Sequence, residues 1–247
     1  MFKKILKFLL YFIIALVLLG VAGFFALDKA RPEGRTGAAA EAMADEMLAA
    51  LNAKAYDSTR YIAWTFRTGK QYLWDKQEGK VRCTWDDVVV YLSTRQGTGK
   101  AFRAGESLQG EEHDKTVADA YKFFNNDSFW LIAPYKIKDP GTQRSVVTLE
   151  DGREGLMVTY SAGGTTPGDS YLWKLGEDGK PTSWQMWVSI IPVGGVELTW
   201  EDWSKSSTGF WIALMHKGKL LDVPIYDFKA ANDLNALAES PEALQAP

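Results

Sequence analysis

The chain has a single cysteine, Cys83, so no intrachain disulfide can form. That fits a reducing compartment, and equally an exported domain whose core is large enough to stand without a cross-link. Only two histidines occur, His113 and His216, far apart in sequence. A zinc site of the Cys/His type is therefore nearly excluded, and no metal or other cofactor is implied. Charge of either sign is in short supply as a net quantity. The balance is -3 and the pI near 5.5, which offers no basic footprint for nucleic acid. No Gly-x-Ser-x-Gly elbow is present, so the common serine-hydrolase turn is missing. Five Gly-Lys pairs, such as Gly69-Lys70 and Gly179-Lys180, lack the Ser or Thr that must follow in a phosphate-binding loop, and they read as turns. No internal repeat stands out.

Aromatic residues are plentiful. They make up 13% of 247 residues, with ten tryptophans. Length and composition fit one large globular domain or two small ones.

One long apolar run opens the chain. Lys3, Lys4 and Lys7 precede twenty uncharged residues, Phe8 to Leu27. At about 1.5 Å per residue a helix of that length spans a hydrocarbon core of roughly 30 Å. The leading lysines favour a cytoplasmic N-terminus, and all later residues then lie on the far side. A cleaved signal peptide is the rival, with Val21-Ala22-Gly23 as a weak site; its apolar part is usually shorter. The expected organisation is an anchor over 1–28, a linker over 29–37, a main domain over 38–232 and a short helix with a disordered tail over 233–247.

After the linker, Met43, Met47, Leu51 and Ala55 recur every four residues and predict one amphipathic helix. Past Asp57 the period falls to two. "TRYIAWTFR", "QYLWDK", "KVRCTWD" and "VVVYLS" read as strands, with a hairpin at Gln77-Glu78-Gly79. The glycine-rich stretch from Thr94 to Asp114 reads as a long surface loop with a weak strand. Helical spacing returns at Val117, Ala120, Tyr121 and Phe124, with Asp114 as the expected N-cap. A second short helical piece, "DSFWLIAP", ends at Pro134. From Arg144 onward strands alternate with turn chemistry, which predicts an antiparallel meander and about ten or eleven strands in all.

This order of elements resembles the superfamily of periplasmic lipoprotein carriers and lipid-binding proteins (LolA/LolB and LppX-like). The likeness covers roughly residues 38–230. It is carried by "TRYIAWTFRTGKQYLWDKQEGKVR", the helical insertion and the hairpins around "SWQMWVSIIPVGGVELTWEDW". It implies an α+β fold: an antiparallel half-open β-barrel with helices covering its open side, an apolar cavity and no catalytic centre. The implied partner is a lipid or the acyl chain of a lipoprotein, with the inner membrane engaged through residues 8–27. One departure matters. No cysteine follows the apolar run to carry a lipid, and the run is long for a cleaved signal. A tethered chain suits a membrane-attached acceptor, sensor or local lipid handler better than a shuttle. No arginine here matches the family's lid-locking arginine.

Several strands are apolar on both faces, which predicts that both sides of the sheet are covered. The candidate cavity residues are Trp64, Phe66, Tyr72, Trp74, Trp173, Trp184, Met186, Trp200 and Phe210. The candidate lid residues are Met47, Leu51, Tyr121, Phe124, Phe129 and Trp130. The alternative is an interaction module whose core its own side chains fill. A third reading, a hydrolase, would need one acid from Asp86-Asp87 and one from Glu201-Asp202 to converge, because adjacent strand residues face opposite ways. Cys83 reads as a small buried hydrophobe. Asn126-Asp127-Ser128 matches a glycosylation sequon, a pattern too short to weigh much. In the tryptophan-rich hairpin, Trp184 and Trp187 are expected on opposite faces of the sheet, with Pro192 to Gly195 as the turn.

Overall fold

The computed structural model describes residues 7, 9, 11–13, 28–161, 168–240 and 242–246. The expected anchor over 8–27 therefore lies largely outside the described residues. Among the described residues no helix is long and apolar enough to cross a membrane.

Helix α1 (Ala38–Ala50) buries Ala40, Ala44 and Met47. The single long helix predicted here is broken. Asn52 adopts a left-handed conformation, φ 56° and ψ 56°, and a second short helix α2 (Ala53–Ser58) follows. Asn tolerates that region better than other side-chain-bearing residues. Its amide also donates to the Gly209 carbonyl at 2.9 Å, which fixes the break.

A run of hairpins comes next: β1 (Tyr61–Phe66), β2 (Gln71–Asp75), β3 (Lys80–Trp85), β4 (Val88–Ser93), β5 (Gly99–Arg103) and β6 (Glu106–Ser107). The last two occupy the stretch expected to be mostly loop. Helix α3 (Gly110–Ile132) is continuous over 23 residues, where two pieces were predicted. Asn, Asp and Ser around position 126 normally compete for the backbone and weaken helices. Here Phe124, Asp127, Ser128 and Leu131 all fall on the buried stripe, so packing outweighs that competition. The helix starts ahead of Asp114, with Gln109 in the N-cap position. A 3-10 turn, Ala133–Lys136, ends it at Pro134.

The second half contains β7 (Thr142–Thr148), β8 (Glu154–Tyr160), β9 (Ser170–Leu175), β10 (Pro181–Trp187), β11 (Val196–Thr199), β12 (Glu201–Lys205), β13 (Trp211–Lys217) and β14 (Asp222–Ala231). The α+β class stands. The strand count of ten or eleven is corrected to fourteen among the described residues, where the strands form two antiparallel sheets and no closed barrel. One sheet has nine strands in the order β12-β13-β14-β1-β2-β3-β4-β5-β6, the other five in the order β11-β10-β9-β8-β7. The division falls at Trp200, where one extended segment leaves β10 and turns onto β13. Asp202 takes a positive φ of 53° at that corner. A bridge between Leu198 and Gly218 ties the two sheets together there.

The inner faces of both sheets, α1, α2 and α3 share one continuous core. Two smaller apolar patches sit on the outer faces, and the ends of the chain cover them. Leu234 and Leu237 pack on Tyr61, Leu73 and Ala231. Arg82 holds this tail through Glu239 at 2.8 Å and the Ala243 carbonyl at 3.2 Å. The tail expected to be disordered is thus docked. Across the outer face of the five-stranded sheet runs the segment Asp28 to Arg35. Lys29 N–H donates to the Gly194 carbonyl, Arg31 to the Ser170 hydroxyl, and Arg35 pairs with Val146. Each outer face thus carries an apolar patch that another segment covers, while the rest of the larger sheet's outer face stays open at Gln71, Lys80 and Lys100.

Candidate functional site

The strand period places every second side chain of β1, β2, β9 and β10 on the inner face. Trp173 and Trp184 are directly opposite one another across β9 and β10. With Trp200 they form a trio whose ring centroids lie 4.9, 5.1 and 5.0 Å apart. Phe129 and Trp130 reach this trio from α3, at 5.9 and 5.2 Å from Trp184. Met186 is buried in the same core.

A second group forms under the middle of α3. Trp64 stacks on its cross-strand partner Tyr72 at 4.7 Å, and Phe124 meets Trp74 edge-on at 5.3 Å. Phe210 belongs to a third group, between Tyr56 and Tyr135 at 5.5 and 5.8 Å. Met47, Leu51 and Phe66 are buried in the same continuous core. Tyr121 stands apart, beside the β4–β5 turn at Gly97. So the candidate cavity and lid residues share one core, but in three aromatic groups rather than round one space.

The tryptophan-rich hairpin divides as expected. Trp184 lies in the inner core, while Trp187 packs on the outer patch with Val147, Met157 and Leu172.

The polar atoms of this interior are unusual. The indole N–H groups of Trp64, Trp74, Trp173, Trp184 and Trp200 are buried and have no hydrogen-bond partner among the described residues. The Tyr160 hydroxyl and His216 Nε2 share that condition. Buried donors are normally paired, and each one left alone costs about 1–3 kcal/mol. Trp187 and Trp203 show the ordinary behaviour: each donates to a backbone carbonyl, of Lys29 at 2.7 Å and of Pro181 at 3.1 Å.

His216 and Asp127 carry titratable chemistry into the core, and neither stood out in the sequence. His216 is 0% exposed and sits edge-on to Trp200 at 4.3 Å. Its Nδ1 donates to the Thr199 carbonyl at 3.1 Å, and the Trp130 backbone also lies against the ring. Burial pulls its pKa down to about 4, so it is neutral at pH 7. Asp127 accepts from the Tyr72 hydroxyl at 2.6 Å. Burial pushes its carboxyl above the usual range, against the pull of Tyr72 and Asn126. Burial likewise raises the Cys83 thiol far above its ordinary value, helped by Asp127. That matches its reading as an inert hydrophobe. Helical spacing was the signal for Asp127, since it lies on the stripe of Ala120, Phe124 and Leu131. Strand alternation was the signal for His216, which shares a face with Ile212.

The acid pairs do not converge. Asp86 and Asp87 are exposed in the β3–β4 turn, and Asp202 is exposed at the sheet corner. Glu201 is paired with Lys217 at 2.7 Å. Five strand spacings separate β12 from β3, roughly 24 Å along the sheet. No group of three or more potential metal ligands occurs among the described residues.

No protein-family model matches the chain. No curated protein matches it in sequence. The solved structures that resemble it include two at low identity. One is a DUF1329 family protein from Desulfovibrio piger, with TM-score 0.39, 9% identity, and 83% of this chain and 99% of that chain covered. The other is a domain from Vibrio parahaemolyticus described under outer membrane lipoprotein sorting, with TM-score 0.37, 8% identity, and 82% of this chain and 100% of that chain covered. At such scores these likenesses transfer no ligand, partner or activity.

Proposed function

We propose that this chain is a periplasmic binding protein, held at the inner membrane by residues 8–27, for a lipid, fatty acyl chain or lipoprotein acyl group. The observation that carries the reading is the set of five buried indole N–H groups with no partner among the described residues, in a core of mostly apolar side chains. An amphiphile with ester or amide carbonyls would offer acceptors to those donors and apolar chain to the rings. Burial at roughly 25 cal/mol per Å² rewards the chain without demanding a particular lipid. Because the rings touch one another, entry requires α3 to separate from the five-stranded sheet, at the contacts of Phe129 and Trp130 with Trp184.

The same ring contacts favour a second reading, an anchored interaction module with a self-filled core. Native mass spectrometry of the full chain, extracted in mild detergent, separates the two. Added mass that matches a lipid, lost in Trp184→Phe and Trp200→Phe variants, supports the binding protein. A bare chain that also takes up no fluorescent fatty acid leaves only the module.

A further inference from the structure

Two loop tips at one end of the molecule carry large apolar side chains out of the protein. Ile190, in the β10–β11 connection, is 70% exposed. Leu220 and Leu221, in the β13–β14 turn, are 96% and 47% exposed. These tips are neighbours. The antiparallel bridge between Leu198 and Gly218 places β11 beside β13. From it, β11 runs back to the β10–β11 connection and β13 runs forward into its turn. Antiparallel neighbours traced in opposite senses advance the same way, so both tips emerge from the same end. Ile190 needs no exposure to close its hairpin, and Leu220 serves no core.

The chain's entry point is at that end too. Asp28 accepts from Gly194 N–H at 2.8 Å, and Lys29 is bonded to both Gly194 and Trp187. Glycine is required there, since a Cβ on Gly194 would lie 2.6 Å from the Trp187 ring and 2.7 Å from the Lys29 carbonyl. The uncharged run 8–27 thus joins the domain at the Ile190 loop. Lys219, beside Leu220, adds a cation suited to lipid phosphates.

We infer that Ile190, Leu220 and Leu221 dock the domain on the surface of a lipid bilayer, the one that residues 8–27 enter. The inference rests on the proposed anchoring. It orients the domain with this end against the headgroups and the β9–β10 turn, at Glu177, away from them. Leucine and isoleucine tips of this kind enter the boundary between headgroups and acyl chains, where their burial adds to the tether.

The test uses the full chain in nanodiscs of phosphatidylethanolamine and phosphatidylglycerol, three parts to one. Ile190→Cys, Leu220→Cys and Glu177→Cys are each labelled with an environment-sensitive fluorophore; native Cys83 is buried and stays unlabelled. Lipid bearing a nitroxide near the top of its acyl chain should quench positions 190 and 220 several-fold more than position 177. Equal, weak quenching at all three on a chain that co-purifies with the discs overturns the docking and leaves the anchor. Failure to co-purify overturns both. Shielding at 190 and 220 that depends on protein concentration, without nitroxide quenching, assigns the tips to a second copy and also overturns the docking.

Discussion

Lowering the pH should destabilise this protein through His216 before its ion-paired glutamates titrate. The ring is fully buried between Trp130 and Trp200, and its pKa falls from 6.5 to about 4. The neutral form is the one the fold accepts. In the unfolded chain the imidazole takes up a proton below about pH 6.5, while in the folded chain it resists until about pH 4. Stability is therefore lost as pH falls through that window. Integrating the two titrations gives about 2 kcal/mol lost by pH 5 and about 3 kcal/mol by pH 4. Glu41, Glu197 and Glu201 have pKa values held below the usual range by Arg144, Lys174 and Lys217, so their own losses come lower still. Over pH 7.5 to 5 the histidine's loss is opposed only by the buried Asp127 carboxyl, whose raised pKa adds stability as pH falls, and comparison with a His216 variant separates the two. Urea unfolding of the full chain in a fixed non-ionic detergent, followed by tryptophan fluorescence, reads the loss. With a slope of about 2 kcal/mol per molar urea, the midpoint should fall by about 1 M. His216→Leu keeps an apolar side chain of similar bulk and should flatten the dependence. If wild type and variant lose the same stability over this window, the reasoning about His216 is wrong.

Three further outcomes are expected. Asp127→Asn should raise the melting temperature at pH 7.5, because the raised carboxyl pKa means the fold is penalised as pH rises, and the amide can still accept from Tyr72; the gain should vanish near pH 4. Arg60→Ala should cost about 1–3 kcal/mol in urea unfolding, since it strips two hydrogen bonds from the buried Asp75 carboxylate. Gly194→Ala should release Asp28 and Lys29 from the outer sheet, seen as faster tryptic cleavage after Lys29 with little change in the melting temperature.

Much of the scaffold could be read from the residues. Alternation in "YIAWTF" and "SWQMWV" announces strands with two apolar faces, and the structure places Trp184 inside and Trp187 outside accordingly. What escaped the sequence depends on contacts between distant segments. Asn52 breaks α1 from α2 because Gly209, remote in sequence, accepts its amide. Helix α3 persists through Asn125 to Ser128 because Tyr72 gives Asp127 a partner away from the helix backbone. The separation into two sheets depends on a corner at Trp200, for which the local residues give no turn signature. The aromatic site was legible as composition. Its division into three ring groups was not, since ring contacts follow from the pairing of strands.

The central ladder also has a consequence for the making of the protein. Strand β1 sits between β2 and β14, and its Tyr61 pairs with Ala231. The two partners are 170 positions apart, 231 minus 61. At about 5–20 residues per second, a ribosome needs roughly ten to thirty seconds to supply the missing neighbour. Throughout that time "YIAWTF" presents an unfilled edge with apolar side chains above and below it, a template for foreign strands. The order of synthesis thus leaves the middle of the larger sheet until last, and the nascent chain must be kept from its own kind until the C-terminal strand arrives.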